Sequence, residues 1–182
     1  MKIFKSIAIF LSVCMILSAC SVHNNQDGTS PTLLRIHLRA NSNDSVDQAV
    51  KMVVKDEITG YLEDMLADTS DFTDAFNKVE KAIPTLTLIA KRTLEREGFS
   101  YGANVKLCNE YFPTRSYCDM VIESGYYDAL IVELGQAKGD NWWCVIYPPL
   151  CFVNASESNG VQYRSKIKEL WDKFADNRKK EK

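Results

Sequence analysis

The spacing of apolar residues changes near residue 98, and this change constrains the fold more than any other feature. Between residues 46 and 97 apolar side chains recur every three or four positions, which is typical of amphipathic helices. From Phe99 onward they alternate with polar residues, which is typical of strands with one buried face. Helices and strands in separate stretches of one chain predict an α+β fold.

A short strand is predicted before the helices. Apolar residues at positions 34, 36, 38 and 40 alternate there with Arg35, His37 and Arg39. The basic row is interpreted either as a solvated face of the sheet or as a binding stripe. Three helices should follow, ending near Leu66, Ala82 and Glu97, because Pro84 in a helix interior would remove a hydrogen bond.

The later elements are predicted to be strands and one final helix. Strands are expected at about 101–107, 117–122 and 126–134, with Ser124-Gly125 as a hairpin turn between the last two. A final amphipathic helix is marked by Ile167, Leu170, Trp171 and Phe174. The chain of 182 residues is therefore predicted to hold a single α+β domain over 33–176. An N-terminal strand and helices pack on a mostly antiparallel sheet in this prediction, and an amphipathic helix ends the domain.

The N-terminus predicts export. Lys2 and Lys5 precede an apolar run too short to span a bilayer, as in a secretory signal peptide. The run ends in Leu17-Ser18-Ala19-Cys20, which resembles a bacterial lipobox. We therefore predict a signal peptide over 1–19, lipidation of Cys20 as a membrane anchor, and a flexible tether over 20–32. The alternatives are an ordinary signal peptide and an uncleaved anchor. Residues 177–182 form a basic tail.

Export changes the interpretation of the cysteines. Four remain beyond the predicted anchor: Cys108, Cys118, Cys144 and Cys151. An even number in an oxidising compartment favours disulfides, and the local pairs Cys108–Cys118 and Cys144–Cys151 close short loops. Free thiols remain the alternative. No cysteine spacing matches a zinc motif, so no metal site and no cofactor is predicted.

Catalytic motifs are mostly absent from the sequence. It contains no nucleophile elbow, zinc-protease motif or P-loop. A Cys–His nucleophilic pair would require His37 beside Cys144 or Cys151. The formal charge of -2 gives no general attraction to nucleic acid. The prediction is a protein that binds rather than catalyses, with no nucleic-acid partner and no small-molecule substrate; the alternative is an envelope lipoprotein with thiol-dependent hydrolase or cell-wall-binding activity.

Residues 141–152 form the most unusual segment of the chain. Two of the three tryptophans, Trp142 and Trp143, and two of the five prolines, Pro148 and Pro149, fall within it. Prolines remove backbone donors and fix φ, so a rigid, irregular loop is predicted. Tryptophans in such a loop suit a binding surface, because little entropy is lost on binding. Equally, they could fill the core, or one could be buried and one available.

Four segments together resemble the stage II sporulation protein R family over about residues 33–154. They are LRIHLRANS (34–42), FPTRSY (112–117), GYYDAL (125–130) and NWWCVIYPPLCF (141–152). Ala137 departs from the resemblance, because the family loop usually has a second glycine there. Cys108 and Cys118 are not hallmarks of the family.

The resemblance implies an exported signalling protein of an endospore-forming bacterium. It implies that the chain is made in the forespore and acts in the space between the forespore and mother-cell membranes. There it would activate a membrane-embedded aspartic protease that processes pro-sigma-E in the mother cell. With a lipidated Cys20, the chain would sit on the outer face of the forespore membrane. The residues expected to contact the protease are Asn141, Trp142, Trp143, Tyr147, Pro148, Pro149, Arg35 and His37.

Overall fold

The computed structural model describes residues 33–117 and 120–152, together with Glu169, Asp172 and Asp176. The predicted signal peptide, Cys20, the tether, the basic tail and most of the predicted final helix lie outside the described residues. The three isolated residues are helical and exposed, which leaves the bounds of that helix as a prediction.

The described ranges form an α+β domain, as predicted. The elements in chain order are β1 (Leu34–Arg39), α1 (Ser45–Leu66), α2 (Phe72–Arg96), β2 (Ala103–Phe112), β3 (Arg115–Tyr117), β4 (Met120–Ile122), β5 (Gly125–Leu134) and β6 (Asn141–Tyr147). A short 3₁₀ turn, Leu150–Phe152, follows β6.

Helix α2 is continuous through Pro84, so the predicted division into two helices was wrong. It begins after Asp71, whose side chain accepts a hydrogen bond from the backbone N–H of Asp74 at 2.9 Å. Pro84 cannot donate to the carbonyl of Glu80, but both residues are exposed, so water can solvate that carbonyl. The buried face on both sides of the proline holds the helix together, with Val79, Ala82, Leu86 and Ala90 in the core.

The main sheet has four strands in the order β2-β5-β1-β6. β2 runs antiparallel to β5, β5 parallel to β1, and β1 antiparallel to β6, so the sheet is mostly antiparallel, as predicted. The first strand of the chain therefore lies between two of the last. His37 pairs with Ile131 on one side and with Trp143 on the other.

The predicted hairpin at Ser124-Gly125 was wrong. β4 pairs with β3 in a separate two-stranded sheet, and β5 pairs with β2 over ten residues. Gly125 is therefore the place where the chain passes from the small sheet to the large one. Cys108 lies opposite Ala129 of β5, rather than opposite the strand near Cys118. Cys118 lies outside the described residues, so the predicted Cys108–Cys118 bridge stays a prediction.

The large sheet is covered on both faces. One face packs against α1 and α2 in a cluster that includes Leu34, Ile36 and Leu38 of β1. The other face forms a second cluster, where Ile122, Met120 and Tyr117 of the small sheet pack near Ile131 and Val145. Each Å² of apolar surface removed from water stabilises the fold by about 25 cal/mol. Because β1 is buried on both faces, it lies at the centre of the fold.

Residues 141–147 form an edge strand, so the prediction of an irregular loop across 141–152 was wrong for this part. Cys144, Val145 and Ile146 are buried and extend the core. The irregular part begins at Pro148, which follows a cis peptide bond, and continues through Pro149 into the 3₁₀ turn. Prolines end the strand because they cannot donate to a sheet ladder.

Candidate functional site

The four segments that carry the resemblance converge on the sheet face that lies opposite the helices. Together they contribute seven side chains that we call the aromatic–cationic cluster: Arg35, His37, Phe112, Arg115, Tyr117, Tyr127 and Trp143. Strand alternation explains the grouping, because residues two apart on one strand point to the same face. Arg35 and His37 thus lie on the face opposite Ile36.

Arg35 is the most deeply buried member of the cluster, with 0% of its surface exposed. Its guanidinium carbon lies 4.2 Å from the centroid of the Phe112 ring and 5.0 Å from that of Tyr127. Its Nη2 donates to the hydroxyl of Tyr117 at 2.9 Å. Burial lowers the pKa of Arg35 from its ordinary value. Contacts with aromatic faces offset part of the cost of removing this charge from water.

His37 is 4% exposed and lies between two aromatic rings. Its centroid is 5.2 Å from that of Trp143 and 5.9 Å from that of Phe112. Its Nδ1 is 2.8 Å from Oε1 of Glu110. An ionised carboxylate can only accept hydrogen bonds, so Nδ1 carries the proton.

Glu110 connects the cluster to a neighbouring ion-pair network. Besides His37, Oε1 of Glu110 accepts from Nη2 of Arg39 at 2.5 Å, and Arg39 also donates to Glu133 at 2.8 Å. Burial alone would raise the pKa of Glu110, but the hydrogen bonds and charges of His37 and Arg39 outweigh it and lower this pKa. Both terminal nitrogens of Arg39 are thus paired with carboxylates, in contrast to those of Arg35.

The prediction of a solvated basic face on β1 was therefore wrong at Arg35 and His37. The small sheet and the aromatic rings cover this face, and only Arg39 of the three is partly exposed. Alternation of apolar and basic residues indicates two faces but not what covers the second one. A flat partner surface could not touch Arg35 directly.

The two adjacent tryptophans lie on opposite faces of the sheet, and both are half-buried. Trp143 packs against the second cluster, with the guanidinium carbon of Arg115 4.0 Å from its ring centroid. Trp142 packs against the helix-side core, with Nζ of Lys55 5.8 Å from its centroid. Neither tryptophan is fully buried or fully exposed. One lies on each face of the sheet at the edge strand β6.

The sequence analysis did not assign Phe112, Arg115, Tyr117 or Tyr127 to the site. Their one sequence signal was membership of the segments that carry the resemblance. Of the residues it did assign, Trp143 joins the cluster with Arg35 and His37. The others follow β6 and its end: Asn141 is exposed, Trp142, Tyr147 and Pro149 are half-buried, and Pro148 is buried.

Cys144 and Cys151 are joined by a disulfide in the structure, with their Cα atoms 5.8 Å apart. The bridge ties the 3₁₀ turn to β6. Cys144 packs in the helix-side core, whereas His37 lies on the opposite face. The geometry therefore does not provide the Cys144–His37 pair that a thiol-dependent hydrolase would require.

A second buried polar network lies at the end of β1 and was not foreseen. Asp47, which is 5% exposed, accepts hydrogen bonds from Asn41 Nδ2 at 2.8 Å, Ser42 Oγ at 2.6 Å and Tyr101 Oη at 2.6 Å. Bonds from Ser42 and Tyr101, and to a smaller extent Asn41, lower the pKa of Asp47. These hydrogen bonds fix the position of the start of α1 relative to the end of β1.

The loop between β5 and β6 is fitted closely against the same strand end. The backbone N–H of Gly139 donates to the carbonyl of Ala40 at 2.9 Å, and that of Gln136 to Oδ1 of Asn41 at 2.9 Å. A Cβ added to Gly139 would overlap the carbonyl oxygen of Ser42. Ala137 has φ +53°, in the left-handed region. This loop fixes where β6 begins.

In the described ranges, no group of three or more histidine, cysteine or acidic side chains is arranged to hold a metal ion. Among the helices within the described residues, none has a stretch apolar and long enough to cross a membrane.

Comparison with known proteins gave one consistent family. The sequence profile described as stage II sporulation protein R matches residues 30–157. The chain is also 34% identical over 149 residues to the stage II sporulation protein R of Bacillus subtilis strain 168. That alignment covers 82% of this chain and 64% of the relative, so the chain spans under two thirds of the relative's length. No solved structure matches the chain.

Proposed function

This chain belongs to the stage II sporulation protein R family, and from that membership we propose that it is an exported sporulation signal. In this proposal it binds and activates a membrane-embedded aspartic protease, which then processes pro-sigma-E in the mother cell. The chain itself contributes binding energy rather than catalysis.

The observation that carries the proposal is that β6 is an edge strand with a tryptophan on each face. Its outer side pairs with no strand within the described ranges, and Trp142 and Trp143 border it on the two faces. Edge strands can accept a strand of another protein, and half-buried aromatic side chains are frequent in binding hot spots.

The rigidity of this region also supports a binding role. The Cys144–Cys151 bridge, Pro148 and Pro149 fix the end of β6, while the β5–β6 loop fixes its beginning. A surface that is ordered before binding loses less conformational entropy on association. We propose that the protease contacts Asn141, Trp142, Trp143, Tyr147 and Pro149 at this edge.

Activation requires more than binding. A ligand shifts an equilibrium between inactive and active forms only through a difference in affinity for the two. A shift from about 1% to about 99% active protease needs an affinity difference of about 10⁴-fold. The edge strand must therefore bind the active form much more tightly than the inactive form.

The place of action is proposed from the N-terminal sequence. Lipidation at Cys20 would hold the domain on the outer face of the forespore membrane, in the intermembrane space. A tether of about a dozen residues spans roughly 20 Å root-mean-square, which restricts the domain to the adjacent membrane.

Co-expression in a non-sporulating host tests the proposal. The host would produce this chain, the cognate protease and the sigma-factor precursor, and precursor cleavage would be followed on a gel. We expect cleavage only when the exported chain is present. The variant Trp142→Ala/Trp143→Ala should be exported and folded but should not support cleavage.

Leu88→Ala is a matched control, because Leu88 is an exposed apolar residue on α2, away from β6. Cleavage without the chain, or full cleavage with the folded double-tryptophan variant, would refute the proposal.

A further inference from the structure

The buried nitrogen atoms that lack a hydrogen-bond partner are concentrated in one place. Within the described part of the chain they are Nε and Nη1 of Arg35, Nε2 of His37 and Nε of Arg115. All three residues belong to the aromatic–cationic cluster, in which Arg115 and His37 both contact the ring of Trp143.

This concentration is unusual on energetic grounds. Leaving one buried donor without an acceptor costs about 1–3 kcal/mol, and most buried polar groups are therefore paired. The arginine atoms are always protonated, so they can only donate. The three arginine nitrogens therefore lack an acceptor, and two adjacent guanidinium groups favour one with negative charge. Nε2 of His37 is itself an acceptor when the proton is on Nδ1, so it does not enter this argument.

The same strand shows how such a group is normally satisfied. Arg39 lies two residues beyond His37 and forms ion pairs with both Glu110 and Glu133. Within the described ranges no carboxylate contacts Arg35 or Arg115 in this way. Arg35 is the most buried of these three arginines. The lack of an acidic partner therefore costs the most free energy there.

We propose that the aromatic–cationic cluster binds one carboxylate group that a protein partner inserts at the edge of β6. The proposal rests on the proposed function in one respect, namely that the partner is the protease. The carboxylate is that of an aspartate, a glutamate or a chain terminus, and Arg35 and Arg115 donate to it.

The deep burial of the cluster favours a carboxylate over a phosphate. The guanidinium of Arg35 contacts the Phe112 and Tyr127 rings, so its remaining donors are available at its edge. A planar carboxylate can pair with that edge, as guanidinium and carboxylate groups commonly do. A guanidinium edge can pair with a phosphate as well. A phosphate is however larger and more strongly hydrated than a carboxylate, so it costs more to bring to the wholly buried Arg35, and the net charge of -2 gives no attraction to an anionic membrane.

The approach to the cluster lies beside Trp143. Trp143 and Arg115 are each half-buried, so this side of the cluster reaches the surface next to the edge strand. Because Arg35 is already removed from water in the free protein, binding does not have to desolvate it again. The inserted group would therefore gain charge-assisted hydrogen bonds in a setting of low dielectric constant.

Binding can be measured without the protease by NMR of the ¹⁵N-labelled full chain in detergent micelles. The reporter is the indole N–H resonance of Trp143, assigned by its loss in Trp143→Phe. Sodium acetate is the probe, and sodium chloride and sodium phosphate at equal ionic strength are the comparison arms. We expect a saturable shift of the Trp143 resonance with acetate that chloride and phosphate do not reproduce.

Variants of the two arginines test the assignment. Arg35→Met should remove the saturable shift. Arg35→Lys should weaken acetate binding by about tenfold or more, because the planar fork is lost. Arg39→Gln is the matched control, since Arg39 lies on the same strand but is already paired, and it should retain the shift. A dispersed amide spectrum for each variant shows that it is folded.

Several outcomes would overturn the inference. They are the absence of a saturable shift, an equal shift in folded Arg35→Met, and an equal response to phosphate. If the wild-type chain binds acetate but does not activate the protease, the proposed function alone is refuted. If it activates the protease but does not bind acetate, this inference alone is refuted.

Discussion

The guanidinium of Arg115 lies over the indole ring of Trp143, 4.0 Å from its centroid. Arg115 begins β3 of the small sheet, whereas Trp143 lies on β6 at the edge of the large sheet. This contact therefore joins the small sheet to the proposed docking edge, and it couples the cover over Arg35 to the edge strand β6.

A double-mutant cycle should measure this coupling. Arg115→Gln and Trp143→Leu, alone and together, are expected to show an interaction free energy of about 0.5–2 kcal/mol in urea unfolding. Lys55→Gln with Trp142→Leu is the control cycle, because its charge lies farther from the ring, at 5.8 Å. An interaction at Arg115–Trp143 no larger than in the control cycle would contradict the stacking.

Arg35→Met should separate stability from signalling. Methionine fills similar space without a buried charge, so the free energy of unfolding should stay within about 1 kcal/mol of the wild-type value or rise. Arg35→Ala should instead lose about 2–4 kcal/mol, because it leaves a cavity. Urea unfolding gives both values.

The same Arg35→Met chain should fail to activate the protease in the co-expression assay. Normal activation by folded Arg35→Met would show that the guanidinium has no part in signalling.

Ala137→Gly should stabilise the protein. Ala137 has φ +53°, a conformation that costs an L-residue about 1–2 kcal/mol and glycine almost nothing. Since glycine also gains entropy in the unfolded chain, we expect a net gain of about 0.5–1 kcal/mol in urea unfolding.

Gly139→Ala is the opposing change in the same loop. Its Cβ would overlap backbone atoms of Ser42, so a loss of about 1–3 kcal/mol is expected. If both substitutions changed stability in the same direction, the loop conformation described here would be wrong.

The dependence of stability on pH should involve Asp47. Its pKa is lowered in the folded protein, so its contribution is fully present above its unfolded pKa of about 4 and is lost as pH falls through the lower folded value. Asp47→Asn should reduce the free energy of unfolding at pH 7 by about 1–3 kcal/mol. The difference from wild type should then shrink below about pH 4.

Denaturant unfolding at pH 7, 5, 4 and 3 would check this, with Asp68→Asn as an exposed control. A difference between Asp47→Asn and wild type that stayed constant down to pH 3 would show that Asp47 is not stabilised as an ion.

The fold class and the strongly periodic elements could be predicted from the sequence, because local spacing determines them. Helix α1 and strand β5 end where the apolar pattern ends. The predicted break at Pro84 failed because a local rule about proline met a long buried face that keeps α2 intact. Tertiary packing of the buried face outweighs the local effect of the proline, and the helical pattern of the sequence alone does not reveal that packing.

The site was harder to predict for a related reason. Strand alternation placed Arg35 and His37 on one face, but the cover over that face comes from residues 112–117 and 120–127, about eighty positions away. The burial of Arg35 depends on how three other segments pack. Basic residues that alternate along a strand are usually exposed to solvent. Here Arg35 and His37 are buried, because β1 lies in the middle of the sheet.

The central position of β1 also sets the order in which the molecule can be completed during synthesis. The first strand pairs with residues 128–133 on one side and 141–147 on the other. The sheet therefore cannot close until nearly the whole domain has left the ribosome, and contacts this far apart in sequence form slowly. If the chain is exported as proposed, this late closure would keep it unfolded long enough to pass through a translocation channel, and the proposed signal would form only on the far side.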